Sequence, residues 1–497
     1  MIYMYAEDRH FCRQIEYVLD TVFHILGIEY KLITNIKSVK GTERDILILY
    51  GGNIGCIDNV QAAGVIFIKQ SSMLFGPAYL TETSLPRYAQ KCNYSYRKYG
   101  IKDFISLYGD NREPYIREQG TDKRIICTNM DIISDIFFML TRYEEVVRSK
   151  NVNKDEYGRF PARESVASRY GFLHRPVVNE AIELLWAWID SFGTGCERMN
   201  PWGRKDFVAC LSHDVDWIST YDNKSAARVL MTTASLLLRR RKPEEAWKYL
   251  TGYVRNLIDY KRDPYWTFDY MTKLEKEYGC SSSFYFMSGG TTCFDGRYRI
   301  EGRKARKLVE ALEERGFEVG YHGSFDSCKS FPHIWSEKLK LDGIINTGTY
   351  GCRQHYLRFE APLTWRIQEK CGLLYDTTVG YAEREGFRAG ICVPYKPYDI
   401  FNNRTMDIWE IPLIAMDDTY HSYLALDSGE VLERLEFYMD IVRKYKGVFT
   451  LLVHNTSFHN HRLLDWNTNY CRILEKINEK NGIGLSGRDV IMTWKVK

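Results

Sequence analysis

The stretch "LSHDVDW" places two carboxylates, Asp214 and Asp216, directly after the apolar run "FVACL". An apolar strand seldom ends in this way, because a carboxylate that becomes buried loses hydration that another group must replace. A metal ion, a catalytic partner or water at the end of a strand could each replace it. The two aspartates are therefore the first candidates for chemistry in this chain.

Three further strand-like runs also end in polar residues, in the stretches "YHGSFD", "YDTT" and "LLVHN". The first contributes His322, which adds a nitrogen donor to Asp214 and Asp216 and gives a mixture suited to zinc or another divalent first-row ion. Asp326 follows His322 by four residues, so on a helical turn both side chains could reach one ion. A turn or a helix cap is the alternative role for Asp326.

Two other side chains extend this set towards a reaction. Arg353, in "RQHYLRF", could form a bidentate pair with one of the aspartates and keep it ionised. His454 follows a β-rich run, and because histidine titrates near neutral pH it could protonate a leaving group. An aspartate base, a metal ion and a histidine acid together predict metal-assisted hydrolysis of an amide or an ester.

The elements that must position these residues follow an α/β pattern. Residues 205–497 alternate strand-like and helical runs, which predicts parallel strands in a (β/α) barrel with its chemistry at the carboxyl ends of the strands. Residues 1–200 predict a smaller α/β accessory domain, and "NPWG" marks the boundary between the two. Within the accessory domain, "DIISDIFFMLTRYEEVVRS" predicts one amphipathic helix that Asp131 caps.

A helical insertion at about 225–262 follows the first aspartate cluster. Its sequence predicts two helices that are separated near Pro243. A basic cluster lies just before this break, at Arg239, Arg240, Arg241 and Lys242. A solvated helix end explains this cluster most simply. The alternatives are a lid, or a patch for peripheral contact with anionic lipid or phosphate groups.

Composition limits the classes of protein to consider. A net charge of +4 on 497 residues gives no indication of a nucleic-acid partner. The thirteen cysteines include no C-x-x-C pair, which is typical of reduced thiols in a cytoplasmic protein. The first residues lack the pattern of a signal peptide, and no apolar window is long enough for a transmembrane segment. We therefore expect a soluble cytoplasmic protein, and the sequence leaves its oligomeric state open.

The order of these motifs resembles that of the polysaccharide deacetylases, which are carbohydrate esterase family 4 and share the NodB-homology domain. The resemblance covers residues 205–497. With "SHDVD", "RQHYLRF" and "YDTTVGYAEREGFRAG", the chain is most similar to a bacterial branch that carries an N-terminal domain of unknown function. The resemblance implies a distorted (β/α) barrel, a divalent metal ion with zinc expected, and removal of N- or O-acetyl groups from sugars in bacterial surface-polysaccharide metabolism.

Carried over by position, the resemblance assigns Asp214 as the catalytic base and Asp216 as a metal ligand. The roles could be exchanged, because Val215 separates two carboxylates that are adjacent in the family. His322 matches the first metal histidine, and Asp326 stands where the family has the second.

The remaining motifs carry over with two departures. Arg353 and Tyr356 match the third motif, with Arg353 steadying the base and Tyr356 a candidate substrate contact, and His454 matches the general acid. His355 replaces a proline of the family and is a candidate substitute ligand or substrate contact. The aspartate that tunes the acid histidine has no clean match. Asp376 is the nearest candidate for this role and is also a candidate substrate contact, and Glu383 is the second candidate for the role. Asp417 and Asp418 could contact sugar hydroxyls or cap a loop.

Three functions remain open from the sequence. The first is a cytoplasmic deacetylase acting on an acetylated sugar or glycan precursor. The second is an inactive relative that only binds carbohydrate or a protein partner, which the departures at Asp326 and in the tuning motif favour. The third is an amidase acting on a non-sugar C–N bond, because a fold does not fix a substrate.

Overall fold

Two mainly parallel sheets organise the chain. The structure is a computed structural model, and it describes residues 1–36, 41–42, 44–52, 61–92, 103–110, 114–119, 124–222, 224–296, 298–459 and 465–495.

The first sheet has six strands in the order β2-β1-β3-β4-β8-β7, and all of its pairings are parallel except that of β7 with β8. β5 and β6 form a separate antiparallel pair. The strands are β1 Ile2–Ala6, β2 Tyr30–Ile33, β3 Ile46–Tyr50, β4 Gly64–Ile68, β5 Gln90–Cys92, β6 Phe104–Ser106, β7 Ile116–Gln119 and β8 Arg124–Thr128. The helices of this half are α1 Cys12–Leu26, α2 Ile132–Leu140, α3 Tyr143–Val147, α4 Val166–Arg169 and α5 Val177–Ser191.

The stretch predicted as one amphipathic helix differs from that prediction in two respects: it forms two helices, and the first of them has no exposed face. Asp131 caps it as predicted, since its side chain accepts a hydrogen bond from the backbone N–H of Ser134. However, Arg142 adopts a left-handed backbone conformation and divides the stretch into α2 and α3. Every residue of α2 is buried, because other helices and the second half of the chain enclose it, so no polar face remains.

The second sheet has nine strands, and all of its pairings are parallel. Its order is β16-β13-β12-β11-β10-β9-β18-β17, and β19 also pairs with β9. Its end strands β16 and β17 do not pair within the described residues, so the sheet is a curled half-barrel rather than the closed barrel that the alternation of elements suggests. The strands are β9 Phe207–Val215, β10 Ser283–Met287, β11 Glu318–Gly323, β12 Cys352–Gln354, β13 Tyr375–Asp376, β16 Trp409–Glu410, β17 Ala415–Met416, β18 Val448–Leu452 and β19 Gly482–Leu485, and β14 Tyr398–Asp399 and β15 Arg404–Thr405 form a separate antiparallel pair.

Amphipathic helices cover this sheet. In α9 the buried residues Ala305, Leu308, Val309 and Leu312 recur at helical spacing, so one face packs inward and the other stays in solvent. The helices are α6 Ala226–Ala234, α7 Pro243–Ile258, α8 Phe268–Glu277, α9 Arg303–Glu314, α10 Phe331–Asp342, α11 Leu363–Lys370, α12 Ser428–Lys444, α13 Trp466–Glu479 and α14 Gly487–Lys495. Within the described residues, none of the helices has the length and apolar character needed to cross a bilayer.

Strand β9 is the centre of the second sheet, and all nine of its residues are buried. It pairs with β18 along one edge and with β19 and β10 in turn along the other. Such burial on both faces is the reason for its largely apolar sequence. Because the strands are parallel, their carboxyl ends meet at one edge of the half-barrel.

A buried ion cluster joins the two halves of the chain. Glu145 of α3 accepts hydrogen bonds from Arg142, at 2.9 Å, and from Arg388, at 2.7 Å, and all three side chains are buried. Burial of these charges is tolerated because each is paired and hydrogen-bonded. The apolar core is also continuous across both halves. The boundary predicted near residues 200–205 remains a prediction.

Candidate active site

The carboxyl edge of the half-barrel brings together residues from four strand ends. Asp214 lies in β9 and Asp216 directly follows it, His322 lies in β11, Arg353 lies in β12, and His454 lies just beyond β18. The sequence predicts that these five residues share one site, and the structure brings their side chains together at this edge.

Three side chains present possible metal ligands to one point. Asp216 Oδ1 lies 3.3 Å from His322 Nε2 and 3.5 Å from His355 Nδ1. The two histidine nitrogens lie 3.0 Å apart. One carboxylate oxygen and two imidazole nitrogens form a donor set typical of zinc sites.

Hydrogen bonds on the far side of each imidazole fix which nitrogen faces the cluster. His322 Nδ1 lies 3.0 Å from the carbonyl oxygen of Arg353, and His355 Nε2 lies 2.9 Å from that of Phe294. A carbonyl oxygen only accepts, so these two nitrogens carry protons, and neutral rings turn two lone pairs towards each other. In addition, Asp216 Oδ1 is buried without a hydrogen-bond partner among the described residues. A cation among these atoms would satisfy all three, so the residues fit a divalent metal ion.

The electrostatics of the cluster also favour a cation. Although burial opposes ionisation of Asp216, the neighbouring His355 and His322 hold its pKa well below the usual range. Burial lowers the pKa of His355, which favours the neutral ring that a ligand needs. Burial alone would also lower the pKa of His322, but Asp214 and Asp216 raise it. The negative field that attracts a proton to His322 attracts a metal ion in the same way.

Asp326, the residue expected as the third ligand, lies outside this cluster. Its side chain is 59% exposed and pairs with Arg358 at 3.0 Å. The reason is local: β11 ends at Gly323, and the chain turns without the helical geometry that would align Asp326 with His322. His355, the substitute considered from the sequence, occupies the third position instead.

Asp214 and Arg353 form a buried pair beside the cluster. Arg353 Nη1 donates to Asp214 Oδ1 at 2.9 Å, and its other guanidinium nitrogens donate to Ser212 and Thr377. The second oxygen of Asp214 lies 3.8 Å from His322 Nδ1. Arg353 thus holds the carboxylate in one orientation next to the candidate metal ligands.

His454 lies beside the cluster and is held by Asp417, a role that the sequence did not assign. His454 Nδ1 lies 2.8 Å from Asp417 Oδ1, and the backbone N–H of His454 donates to Asp417 Oδ2. This leaves His454 Nε2 directed towards Asp216 Oδ2, at 3.9 Å. Burial alone would lower the pKa of His454, but Asp417 raises it well above the usual value. The signal available in the sequence was the position of Asp417 directly after a strand, in "AMDDTY".

Asp376, the nearest sequence candidate for that tuning role, lies beneath the site. It is fully buried and accepts hydrogen bonds from Thr378 and Gln368, so it contacts neither His454 nor the cleft. It braces the turn whose Thr377 binds Arg353. Asp376 is therefore not placed to touch a substrate.

Tyr356 lines the cleft at a sharp bend of the chain. Tyr356 and Leu357 both have positive φ, which is uncommon for residues other than glycine. Arg159, from the first half of the chain, donates to the carbonyl oxygen of Tyr356 at 2.9 Å and to the hydroxyl of Tyr423 at 3.0 Å. Tyr157 packs against the ring of Tyr356. Residues before position 200 therefore help to build the cleft wall, which no pattern in the sequence indicated.

The cleft consists of two adjoining cavities of about 390 and 280 Å³. Both are lined by Asp216, Trp217, Asp418 and His454, so the candidate metal ligand Asp216 and the histidine His454 lie where the cavities meet. Aromatic side chains line both, namely Trp217, Tyr265 and Trp466 in the larger and Phe294, Tyr356 and Tyr423 in the smaller.

Comparisons with known proteins give distant likenesses. A family of unknown function, DUF7033, matches residues 2–193. No curated protein matches the chain.

Several solved structures resemble parts of the fold. One is described as a probable polysaccharide deacetylase from Pseudomonas aeruginosa PAO1, with 12% identity, a TM-score of 0.40, and coverage of 61% of this chain and 97% of the other. Another is a CE4 family pseudoenzyme from Bacillus anthracis, with 10% identity, a TM-score of 0.31, and coverage of 58% and 66%. A third is Agd3, described as a novel carbohydrate deacetylase, with 8% identity, a TM-score of 0.33, and coverage of 99% and 87%. These likenesses are too distant to assign a role to any residue.

Proposed function

We propose that the protein is a metal-dependent hydrolase that removes acetyl groups from a sugar or glycan precursor. One observation carries this proposal: Asp216, His322 and His355 converge, with Asp214 of the Asp214–Arg353 pair 3.8 Å from His322 and His454 of the His454–Asp417 pair 3.9 Å from Asp216. A ligand set with a carboxylate on one side and a histidine on the other is the arrangement that metal-assisted hydrolysis of an acyl group requires.

Asp216, His322 and His355 would hold the ion, and zinc suits this donor set. A bound divalent ion supplies a Lewis acid that polarises the acetyl carbonyl and makes a bound water more acidic.

The chain's own groups divide the proton transfers. Asp214, held in place by Arg353, takes the proton of the attacking water. His454 carries a proton on Nε2, because Asp417 stabilises the charged ring through Nδ1, and gives that proton to the departing sugar nitrogen or oxygen. Asp417 is thus a positioning residue, whereas Asp214 and His454 act on the substrate.

The lining of the cleft supports a sugar as the substrate. Aromatic rings stand beside carboxylates and imidazoles, and ring faces pack against the C–H surface of a sugar while polar groups bind its hydroxyls. Tyr356 would make one such contact. The cytoplasm and the bacterial surface-polysaccharide pathway remain predictions from the sequence.

An inactive, carbohydrate-binding relative is the weaker candidate. The two departures from the family pattern that favoured it were the missing second metal histidine and the missing tuning aspartate. In this structure His355 completes a cluster of three possible metal ligands, and Asp417 holds the ring of His454. These two contacts favour the active hydrolase over the inactive relative.

Acetate release tests this function directly. Purified protein would be stripped of metal, reloaded with zinc or cobalt, and incubated with N-acetylated sugars, O-acetylated sugars and non-sugar acetamides. We expect acetate from one of the sugar classes, only after reloading. Metal uptake without acetate from any acetylated sugar would contradict the proposal, and hydrolysis confined to non-sugar amides would favour the amidase.

Replacing Asp417 by Asn should move the alkaline limb of the activity profile to lower pH. A general acid works while protonated, so activity is present below the pKa of His454 and is lost as pH rises through it. Asp417 raises that pKa, and loss of its charge should shift the limb down by about 1–3 pH units.

Asp418→Asn is the matched control, because Asp418 is close to His454 but no hydrogen bond joins the two among the described contacts. We expect a smaller shift for this variant when kcat is measured against pH. Equal shifts for both variants would contradict the positioning role of Asp417.

A further inference from the structure

The helical hairpin that follows the first aspartate cluster exposes an unusual amount of apolar surface. It comprises α6, a wider helical turn at Ser235–Arg239, and α7. In α7 the side chains of Trp247, Val254 and Ile258 recur at helical spacing and are 69%, 50% and 80% exposed. Leu230 and Met231 of α6 and Leu237 and Leu238 of the wider turn are exposed as well. An apolar stripe of this kind marks an interaction surface.

The same hairpin is strongly basic. Residues 225–262 contain nine basic and three acidic side chains, a net charge of +6, whereas the whole chain carries +4. Carboxylates pair with Lys242, Lys248, Lys261 and Arg262, whereas none of the ion pairs found among the described residues includes the three arginines at the tip, residues 239–241. Positive charge is therefore concentrated beside the apolar stripe.

An open cavity of about 680 Å³ joins the two features. Arg228, Arg239 and Arg240 line it together with Met231 and Leu238. Guanidinium groups beside aliphatic walls suit a phosphate group attached to an acyl chain.

The hairpin is fastened close to the cleft. Asn256 of α7 donates to Ser219 at 2.9 Å, and the Tyr221 hydroxyl donates to the carbonyl oxygen of Tyr249 at 2.8 Å. Ser219 is only three residues beyond Asp216, and the intervening Trp217 lines both cavities. A surface bound by the hairpin would thus be connected to the mouth of the candidate active site.

We propose that this hairpin docks the protein on membranes that contain anionic lipids. The arginines at the tip would bind lipid phosphates, and the apolar stripe would enter the interface between headgroups and acyl chains. A second copy of the chain fits this surface less well, because two hairpins of net charge +6 repel each other.

Vesicle sedimentation tests this proposal without any assay of activity. The full chain would be mixed with vesicles of phosphatidylcholine alone and of phosphatidylcholine with phosphatidylglycerol. We expect binding to the anionic vesicles only, weaker at higher salt. Replacing Arg239, Arg240 and Arg241 by Gln should lower the partition coefficient by about 100-fold. Replacing Trp247 and Ile258 by Ser should lower it by about tenfold or more.

The matched control removes the same charge elsewhere, in the triple variant Arg13→Gln, Lys31→Gln and Arg472→Gln, whose residues are all exposed. We expect it to bind like the unaltered protein, and circular dichroism checks that each variant is folded. Equal binding to neutral vesicles, or unchanged binding of the arginine-tip variant, would overturn the proposal. So would a dimer in analytical ultracentrifugation that Trp247→Ser disperses, because the surface would then belong to a second copy.

Discussion

Replacing Asp214 by Asn should lower kcat by about 10²–10⁴-fold while bound metal remains. The amide still accepts the hydrogen bond from Arg353 Nη1 but cannot take a proton from water. Some loss of stability is expected, because Arg353 is buried and loses its charged partner. Measurements of kcat, metal content and thermal unfolding on the same preparation separate these effects.

Ser212→Ala is the matched control for this variant. It removes another hydrogen bond of Arg353, from Nη2, yet leaves the carboxylate in place, so we expect most of the activity to survive. Full turnover by Asp214→Asn would refute its role as the base. Loss of metal from Asp214→Asn and retention by Asp216→Asn would mean that the two aspartates have exchanged roles.

Replacing His355 by Ala should abolish metal binding and activity together. His355 would provide one of three protein ligands, and loss of even an outer partner of a ligand typically costs about 10–100-fold in affinity, so a greater loss is expected here. Competition with a chelator, followed by metal analysis, measures the change in affinity.

Asp326→Ala provides the contrast, since Asp326 is mostly exposed and pairs with Arg358. We expect this variant to bind metal and turn over substrate like the unaltered protein. Metal loss in Asp326→Ala with retention in His355→Ala would restore the ligand set predicted from the sequence.

Much of the site follows from one rule that is visible in the sequence. Parallel strands bring their carboxyl ends to one edge, so polar residues after separate strands converge. Asp214, Asp216, His322 and His454 follow from this rule, Arg353 follows from its capacity to pair with a carboxylate, and the structure brings all five together. The α/β alternation likewise predicted a parallel sheet.

The remaining features depend on backbone geometry that a spacing rule does not contain. The choice between Asp326 and His355 rests on how the chain leaves β11 and on the bend after His355, where two consecutive residues adopt positive φ. Likewise, Asp417 could not be paired with His454, because β17 and β18 are separated by a long helix and become neighbours only in the sheet.

Burial between the two halves of the chain was also invisible in the sequence. The pattern of α2 suggested a polar face, but its acidic residue Asp135 is buried and accepts hydrogen bonds from Ser106 and from the backbone of Leu107 and Tyr108. The contribution of Arg159 to the cleft wall has the same origin, since it arises from contact between segments far apart in sequence.

Crystals grown with zinc and measured at the zinc absorption edge test the central claim most directly. We predict one strong anomalous peak within about 2.0–2.3 Å of Asp216 Oδ1, His322 Nε2 and His355 Nδ1, with Asp214 and His454 on opposite sides of it. A peak at another position, or none at these three atoms in protein that carries stoichiometric zinc, would contradict the claim.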